Sequence, residues 1–293
     1  MNLAYGIQKF QDWFTQQWVI LWGRKINPNE YLWLIGPFGE LNGIGEDFIF
    51  QLASKENLSV IRNTTSKGLL QSISNLNLTE IDINILSLKV IDFYEKTADY
   101  DLKFNVYWNP FFKVFGYLVN RLFSQRINQL NIPTENIKES ENILSEIIEL
   151  ISNENQKLKY TIWLRKFKST GKVIYSGIYT TCVLPSSKTC IKAIFPLPKG
   201  NATVILKPSV GDKNELILDS SGVKFGDAGF YFLLNDIKGN YWSQYVKPFT
   251  EKLIVSEENE NLIAKQTIKL WNIKVVNFEY RLLKKLRVTA CNR

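Results

Sequence analysis

Between Leu158 and Leu282 apolar and polar residues alternate in short runs broken by turn residues, and this period of two constrains the fold more than any other feature of the chain. Leu158, Tyr160, Ile162 and Leu164 alternate with Lys159, Thr161, Trp163 and Arg165; Ser169, Thr170 and Gly171 turn the chain, and Val173–Tyr179 returns. Further strands are expected over Cys190–Phe195, Ala202–Lys207, Glu215–Asp219, Gly229–Leu234, Lys252–Ser256, Ile263–Trp271 and Ile273–Leu282. So many strands without an intervening helix argue against a doubly wound α/β fold. They predict an antiparallel sheet curled into a barrel or folded as a sandwich.

The earlier part of the chain follows a helical period. Leu3, Ile7, Phe10, Phe14, Trp18 and Leu21 recur at spacings of three or four, which predicts a helix from about Ala4 to Trp22 whose face is widened by Trp13, Val19, Ile20 and Trp22. Its polar face is rich in glutamine rather than basic, so packing against the protein is expected ahead of a membrane or partner surface. A glycine loop, Gly36–Gly45, opens a helix from about Glu46 to Lys55; its spacing fits no phosphate-binding motif, and Glu40, Glu46 and Asp47 would repel phosphate there. Leu86, Val90 and Phe93 mark a helix ending near Thr97. Leu102, Phe104, Val106 and Trp108 then alternate in a strand ended by Pro110, and a helix is expected from Phe111 to about Asn128. The expected class is α+β, with a mainly helical region, 1–135, packed on an antiparallel, strongly curved β-sheet or barrel, 136–293, the two forming separate regions or one integrated domain.

The chain has no histidine, which removes Ser-His-Asp triads, Cys-His dyads and HExxH zinc sites together. Three cysteines, Cys182, Cys190 and Cys291, make neither a disulfide framework nor a zinc ligand set, and no metal or cofactor is expected. Cys182 and Cys190 flank a hairpin around Pro185–Ser187. The polar start of the chain reads as neither signal peptide nor membrane span, so a cytoplasmic location is expected, with peripheral contact at the inner membrane surface as its extension. Residues 1–100 carry eight Lys/Arg against eleven Asp/Glu, whereas the remainder carries 28 against 17. That asymmetry favours an acidic partner such as an anionic small molecule or an anionic membrane weakly held. Nucleic acid is not expected, because no RNP-like consensus or arginine-rich tract accompanies the basic residues.

Several phrases punctuate the chain: W-L-I-G-P-x-G-E at Trp33–Glu40, D-F-Y-E-x-T at Asp92–Thr97, W-N-P at Trp108–Pro110, Q-L-N-I-P at Gln129–Pro133, W-L-R at Trp163–Arg165, F-P-L-P-x-G-N-A-T at Phe195–Thr203 and F-G-D-A-G-F-Y-F at Phe225–Phe232. In these the chain resembles a poorly characterised bacterial family, and the resemblance implies no activity. It is also weakly similar to a domain of unknown function appended to some saccharopine-dehydrogenase-like proteins, without the dehydrogenase part.

Three constellations are candidates for chemistry. Asp92 and Glu95 share a helix face, a spacing compatible with two carboxylates on one pocket wall. Trp163 and Arg165 share a strand face, where a guanidinium can stack on indole and grip an anion with two hydrogen bonds. Asp227 lies in a glycine-flanked turn beside Phe230 and Tyr231. The leading expectation is noncatalytic binding of a hydrophobic, acidic small molecule or lipid in an aromatic-lined cavity, with Arg165 as head anchor and Trp163, Phe230 and Tyr231 as walls. The alternatives are an isomerase or cyclase using Asp92, Glu95 or Asp227 as acid/base, or a peripheral membrane or protein-interaction module. Enzymatic activity is left open.

Overall fold

The computed structural model describes residues 10–40, 44–113 and 137–285. Helix α1 (Phe10–Trp22) leads into a short strand β1 (Arg24–Ile26), then α2 (Asp47–Lys55), β2 (Leu58–Ile61), α3 (Glu80–Ile85) and α4 (Leu88–Glu95). The remainder is sheet: β3 (Tyr100–Trp108), β4 (Ile137–Ser152), β5 (Leu158–Phe167), β6 (Val173–Val183), β7 (Thr189–Leu197), β8 (Gly200–Val210), β9 (Leu216–Asp219), β10 (Gly229–Asn235), β11 (Tyr241–Tyr245), β12 (Phe249–Glu258), β13 (Asn261–Leu270) and β14 (Ile273–Lys284). Ten of these strands close into an antiparallel barrel in the order β3-β4-β5-β6-β7-β8-β9-β12-β13-β14. Closure comes from β14 returning to β3, with Val276 opposite Trp108 and Lys284 opposite Tyr100.

The hairpin β10–β11 leaves this meander. It pairs along the first half of β8, from Gly200 to Ile205, while β9 pairs with the second half, Lys207–Val210. Strand β1 extends the flap by pairing with β11. Beyond the four residues of β9, the wall between β8 and β12 is completed by side chains, with Phe230 and Phe249 in contact at 4.8 Å between ring centroids.

One end of the barrel is plugged. Leu69, Leu70, Leu86, Val90, Phe93 and Tyr94 join the interior core, and the plug is tied to strand ends by Ser87 N–H donating to the Asn214 carbonyl (2.9 Å) and by a Lys89–Glu257 ion pair. Two outer layers cover part of the wall. Phe48, Ile49 and Leu52 of α2 pack on Ile148, Ile162 and Ile178, while Leu34 and its neighbours pack on Cys190 and Ile205. Strands β5 to β8 are therefore apolar on both faces, which is why their sequences run as nearly continuous buried residues rather than a clean alternation.

Several expectations are corrected. Helices are less prominent than anticipated, and the barrel is the organising element. Strand β3, which precedes residue 135, is a stave between β4 and β14. In α1 the packed residues are Gln16, Trp18 and Val19, whereas Phe14 and Leu21 are exposed, because the helix lies on β10 and β11 through a face rotated from the aromatic stripe. Strands β1, β2, β4 and β11 are not among the individual strands expected from the sequence, although β4 and β11 fall within the region expected to be sheet. The expected helix Phe111–Asn128 lies, beyond Lys113, outside the described residues, as do Leu3, Ile7, Gly43, Gln129–Pro133 and Cys291.

Asp92 fastens α4 to the closing ladder. Its carboxylate accepts from Lys96 (2.7 Å), Lys284 (2.6 Å) and the Tyr100 hydroxyl (2.7 Å), and these partners outweigh partial burial and hold its pKa well below the ordinary 3.8. A depressed value stabilises the fold above the ordinary pKa, and that stabilisation is lost as pH falls through the lower one. Asp92→Asn is expected to cost about 1–2 kcal/mol in denaturant unfolding at neutral pH, discounted for solvent around the lysines. The deficit should shrink as the titration is carried below pH 3.8.

Candidate functional site

Ten staves enclose more space than the roughly eight whose interior side chains just fill, and here the inward positions include Gly177, Ala193, Ala202 and Ala264. The result is a cavity of about 390 Å³ inside the barrel, walled mainly by apolar and aromatic side chains. Gly177 is needed for the packing around it: a Cβ there would lie 2.8 Å from the Phe195 ring.

Into this chamber project one arginine and one glutamate. Arg165, on β5, is buried; its guanidinium carbon lies 4.0 Å from the centroid of Trp163 and 4.4 Å from that of Tyr175. Nη2 donates to the Tyr179 hydroxyl at 3.1 Å, while Nε has no hydrogen-bond partner. Among the described residues no carboxylate makes an ion pair with Arg165. The Trp163 indole is oriented by its N–H donating to Ser145 Oγ at 2.9 Å.

Glu251, on β12, faces the same cavity. It accepts from Gln266 Nε2 at 2.7 Å, and Gln266 Oε1 accepts from Tyr280 at 3.2 Å, so a chain of three polar side chains crosses β12, β13 and β14. Burial raises the pKa of Glu251 above the ordinary 4.5, partly opposed by the Gln266 hydrogen bond and the Arg165 charge. Burial likewise raises the phenols of Tyr175 and Tyr179, which stay neutral. Glu251 lies one residue before the strand expected over Lys252–Ser256, because the strand in fact begins at Phe249. Glu251 shares parity with Leu253 and Val255, and a charged residue on an inward-facing parity is the signal that would have found it.

Of the four expected ligand-contacting residues, Trp163, Arg165 and Phe230 line this cavity. Tyr231 does not, because strand alternation turns it to the outer face against Trp33, Phe225 and Tyr245. Its hydroxyl donates to the Asp227 carbonyl (2.6 Å) and accepts from Gly226 N–H (3.1 Å). Asp227 caps the turn by accepting from the N–H groups of Val223 and Lys224, both at 3.1 Å. Glu95 accepts from Ile73 N–H at 2.7 Å and holds the plug, and Asp92 is the ion-paired fastener described above. None of these three carboxylates lines the barrel cavity.

The phrase at Trp33–Glu40 has a structural reason of its own. Trp33–Glu40 is a strap over the outer wall: buried Lys192 donates to the carbonyls of Trp33 (3.0 Å) and Ile35 (2.9 Å), and Asn201 donates to those of Gly36 and Pro37. A Cβ at Gly39 would lie 2.8 Å from the Leu197 carbonyl oxygen, so the strap requires glycine to come so close. Glu46, after the glycine loop, is paired with Arg62 and Lys166, which leaves a satisfied carboxylate where phosphate would have to sit.

The fold and cavity thus define an antiparallel ten-stranded barrel with a largely apolar chamber. Over 240 residues the chain is 25% identical to a Bacillus subtilis (strain 168) protein described as "Uncharacterized membrane protein YndJ", a match covering 81% of this chain and 41% of that protein. The chain therefore spans less than half the length of this curated relative. No family model matches the chain, and no solved structure matches it. Among the described residues no helix is long and apolar enough to cross a membrane.

One measurement checks the cavity and another the outer wall. Because the pKa of Glu251 is raised in the fold, its protonated form is favoured below pH 4.5 and that advantage is lost as pH rises through the raised value. Glu251→Gln should accordingly gain in melting temperature over the wild type as pH increases from 4.5 to neutrality, and a constant difference across this range would contradict the burial. Cys182 and Cys190 are register partners on β6 and β7, both free, and burial pushes their thiols up to about 11 and about 12. In a Cys291→Ser protein, thiol-reactive dye should label neither until denaturant is added.

Proposed function

We propose that this chain binds, without transforming it, a hydrophobic molecule bearing an acidic head, with the apolar body in the barrel and the head at Arg165. The observation that carries the reading is the buried guanidinium whose Nε donor is unmet and which has no ion-pair partner among the described residues. An unmatched buried charge is costly, and an anion entering the cavity supplies both the missing acceptor and the missing charge. A chamber of about 390 Å³ lies within the ~300–1,000 Å³ usual for small-molecule sites. The description of the relative as a membrane protein supports a lipid-derived ligand. On this reading the chain is also kin to the domain appended to saccharopine-dehydrogenase-like proteins and works at the cytoplasmic face of a membrane.

The test is calorimetric titration with dodecanoate and, for comparison, dodecanol, alongside native mass spectrometry of the purified protein. Dodecanoate should bind more tightly, and Arg165→Met should erase its advantage while changing stability by no more than about 1 kcal/mol, because an under-bonded buried charge is exchanged for an apolar side chain. Equal binding of acid and alcohol by the wild type would sink the assignment of Arg165. An anion beside Glu251 raises the glutamate's pKa further, so binding takes up a proton and affinity for dodecanoate should increase as pH falls toward that raised value. Glu251→Gln should flatten that dependence.

A further inference from the structure

At the end of the barrel opposite the plug, three connections lie side by side: Asn109–Lys113 after β3, Val246–Pro248 before β12, and the hairpin tip Leu270–Ile273 between β13 and β14. Asn109 N–H donates to the Val275 carbonyl (2.9 Å) and its side chain to that of Lys274 (2.9 Å), while Trp271 N–H donates to the Pro248 carbonyl (2.9 Å). This rim is apolar where a loop cluster is ordinarily polar. Phe111 is 82% exposed, Trp271 69% and Ile273 52%.

The hairpin tip is an outlier in its own right. Trp271 and Asn272 both have positive φ, 49° and 65°, the left-handed pair that two-residue hairpins usually fill with Asn-Gly. A bulky residue is strained there, and Trp271 makes no ring–ring contact with any described residue to repay it. An exposed tryptophan in a conformation that local energetics disfavour points to a role outside the folding of the hairpin.

Charge decides what kind of partner fits. Lys113, Lys247, Lys269 and Lys274 are all exposed on these connections, and Lys269 stands opposite Lys274 in the β13–β14 ladder. The segments 105–113, 243–250 and 266–278 contain no aspartate or glutamate. Among the described residues none of the four lysines makes an ion pair. Exposed aromatic and aliphatic side chains ringed by unpaired lysines match the layering of an anionic bilayer, with apolar groups at the acyl boundary and ammonium groups at the headgroups. Trp108, Phe249, Ile268 and Val275, which line the cavity, belong to the same ends of the same strands.

We propose that this rim is the surface by which the protein docks on an anionic membrane, with Trp271, Phe111 and Ile273 inserted and the four lysines held at the headgroups. The inference goes beyond the ligand reading, and it places the cavity's end against the lipid that would supply a ligand. It is distinct from a docking role for α1.

The test uses the full chain with sedimented vesicles of phosphatidylcholine alone and of an equimolar phosphatidylcholine–phosphatidylglycerol mixture. Binding should be confined to the mixture and weaken with salt. Each Lys→Gln substitution among the four should lower partitioning about fivefold, at ~1 kcal/mol per cation near the surface. Trp271→Asn puts a residue suited to the left-handed conformation at the tip, so it should keep or raise the melting temperature while weakening vesicle binding. Loss of binding with an intact melting transition supports the proposal. Unchanged partitioning of Trp271→Asn and Phe111→Ser, or no wild-type binding to the anionic vesicles, overturns it. Dodecanoate titration of the same variants in vesicle-free buffer separates the two readings: retained affinity there with lost docking leaves the ligand site standing, and lost affinity with retained docking leaves the rim standing.

Discussion

Everything in this molecule depends on the ladder between β3 and β14. It joins residues 168 to 184 positions apart, and without it the meander would be an open curved sheet with two exposed edges. Closing the ring fixes which parity of every strand faces inward. Phe104, Phe278 and Tyr280 stack across that seam, at 6.1 Å and 5.6 Å from Phe104, so the ladder is packed as well as hydrogen-bonded. The plug, fastened to the seam through Asp92, then converts a tube into a chamber.

Closure also sets the electrostatics. Arg165 and Glu251 reside on strands far apart in the chain, and the ring brings them to one low-dielectric space without direct contact. There each alters what the other costs: the arginine lowers the pKa of the glutamate, against the larger effect of burial. The aromatic rings of Trp163 and Tyr175 both lie against the guanidinium, whose donors remain a distinctive polar feature of the chamber. The candidate carboxylates serve elsewhere: Asp92 fastens the plug, Glu95 holds it from within and Asp227 caps a turn.

Much of the barrel was legible because a two-residue period survives wherever one strand face meets solvent. Strands β13 and β14 were placed within about two residues for that reason. The reading failed where the period is erased or competes with another. β4 carries Glu146, Glu149, Ile147, Ile148 and Leu150, residues that suit a helix as well as a strand, and only its partners β3, β5 and β2 select the extended form. β1 and β11 are too short to show a pattern. Trp163 and Arg165 were found because two such residues on one parity are unusual, while Glu251 lies one residue before the strand expected there.

The sequence by itself determined that histidine chemistry is absent, that the second half is antiparallel sheet, and that Trp163 and Arg165 share a face, because these follow from residue identity and local period. Tertiary structure alone decided that the face is an interior one, that Phe230 joins it while neighbouring Tyr231 does not, and that Glu251 shares the chamber. The physical reason is that inside and outside are properties of a closed ring. A strand knows its two faces, but only the pairing of β3 with β14, across most of the chain, tells it which of them is enclosed.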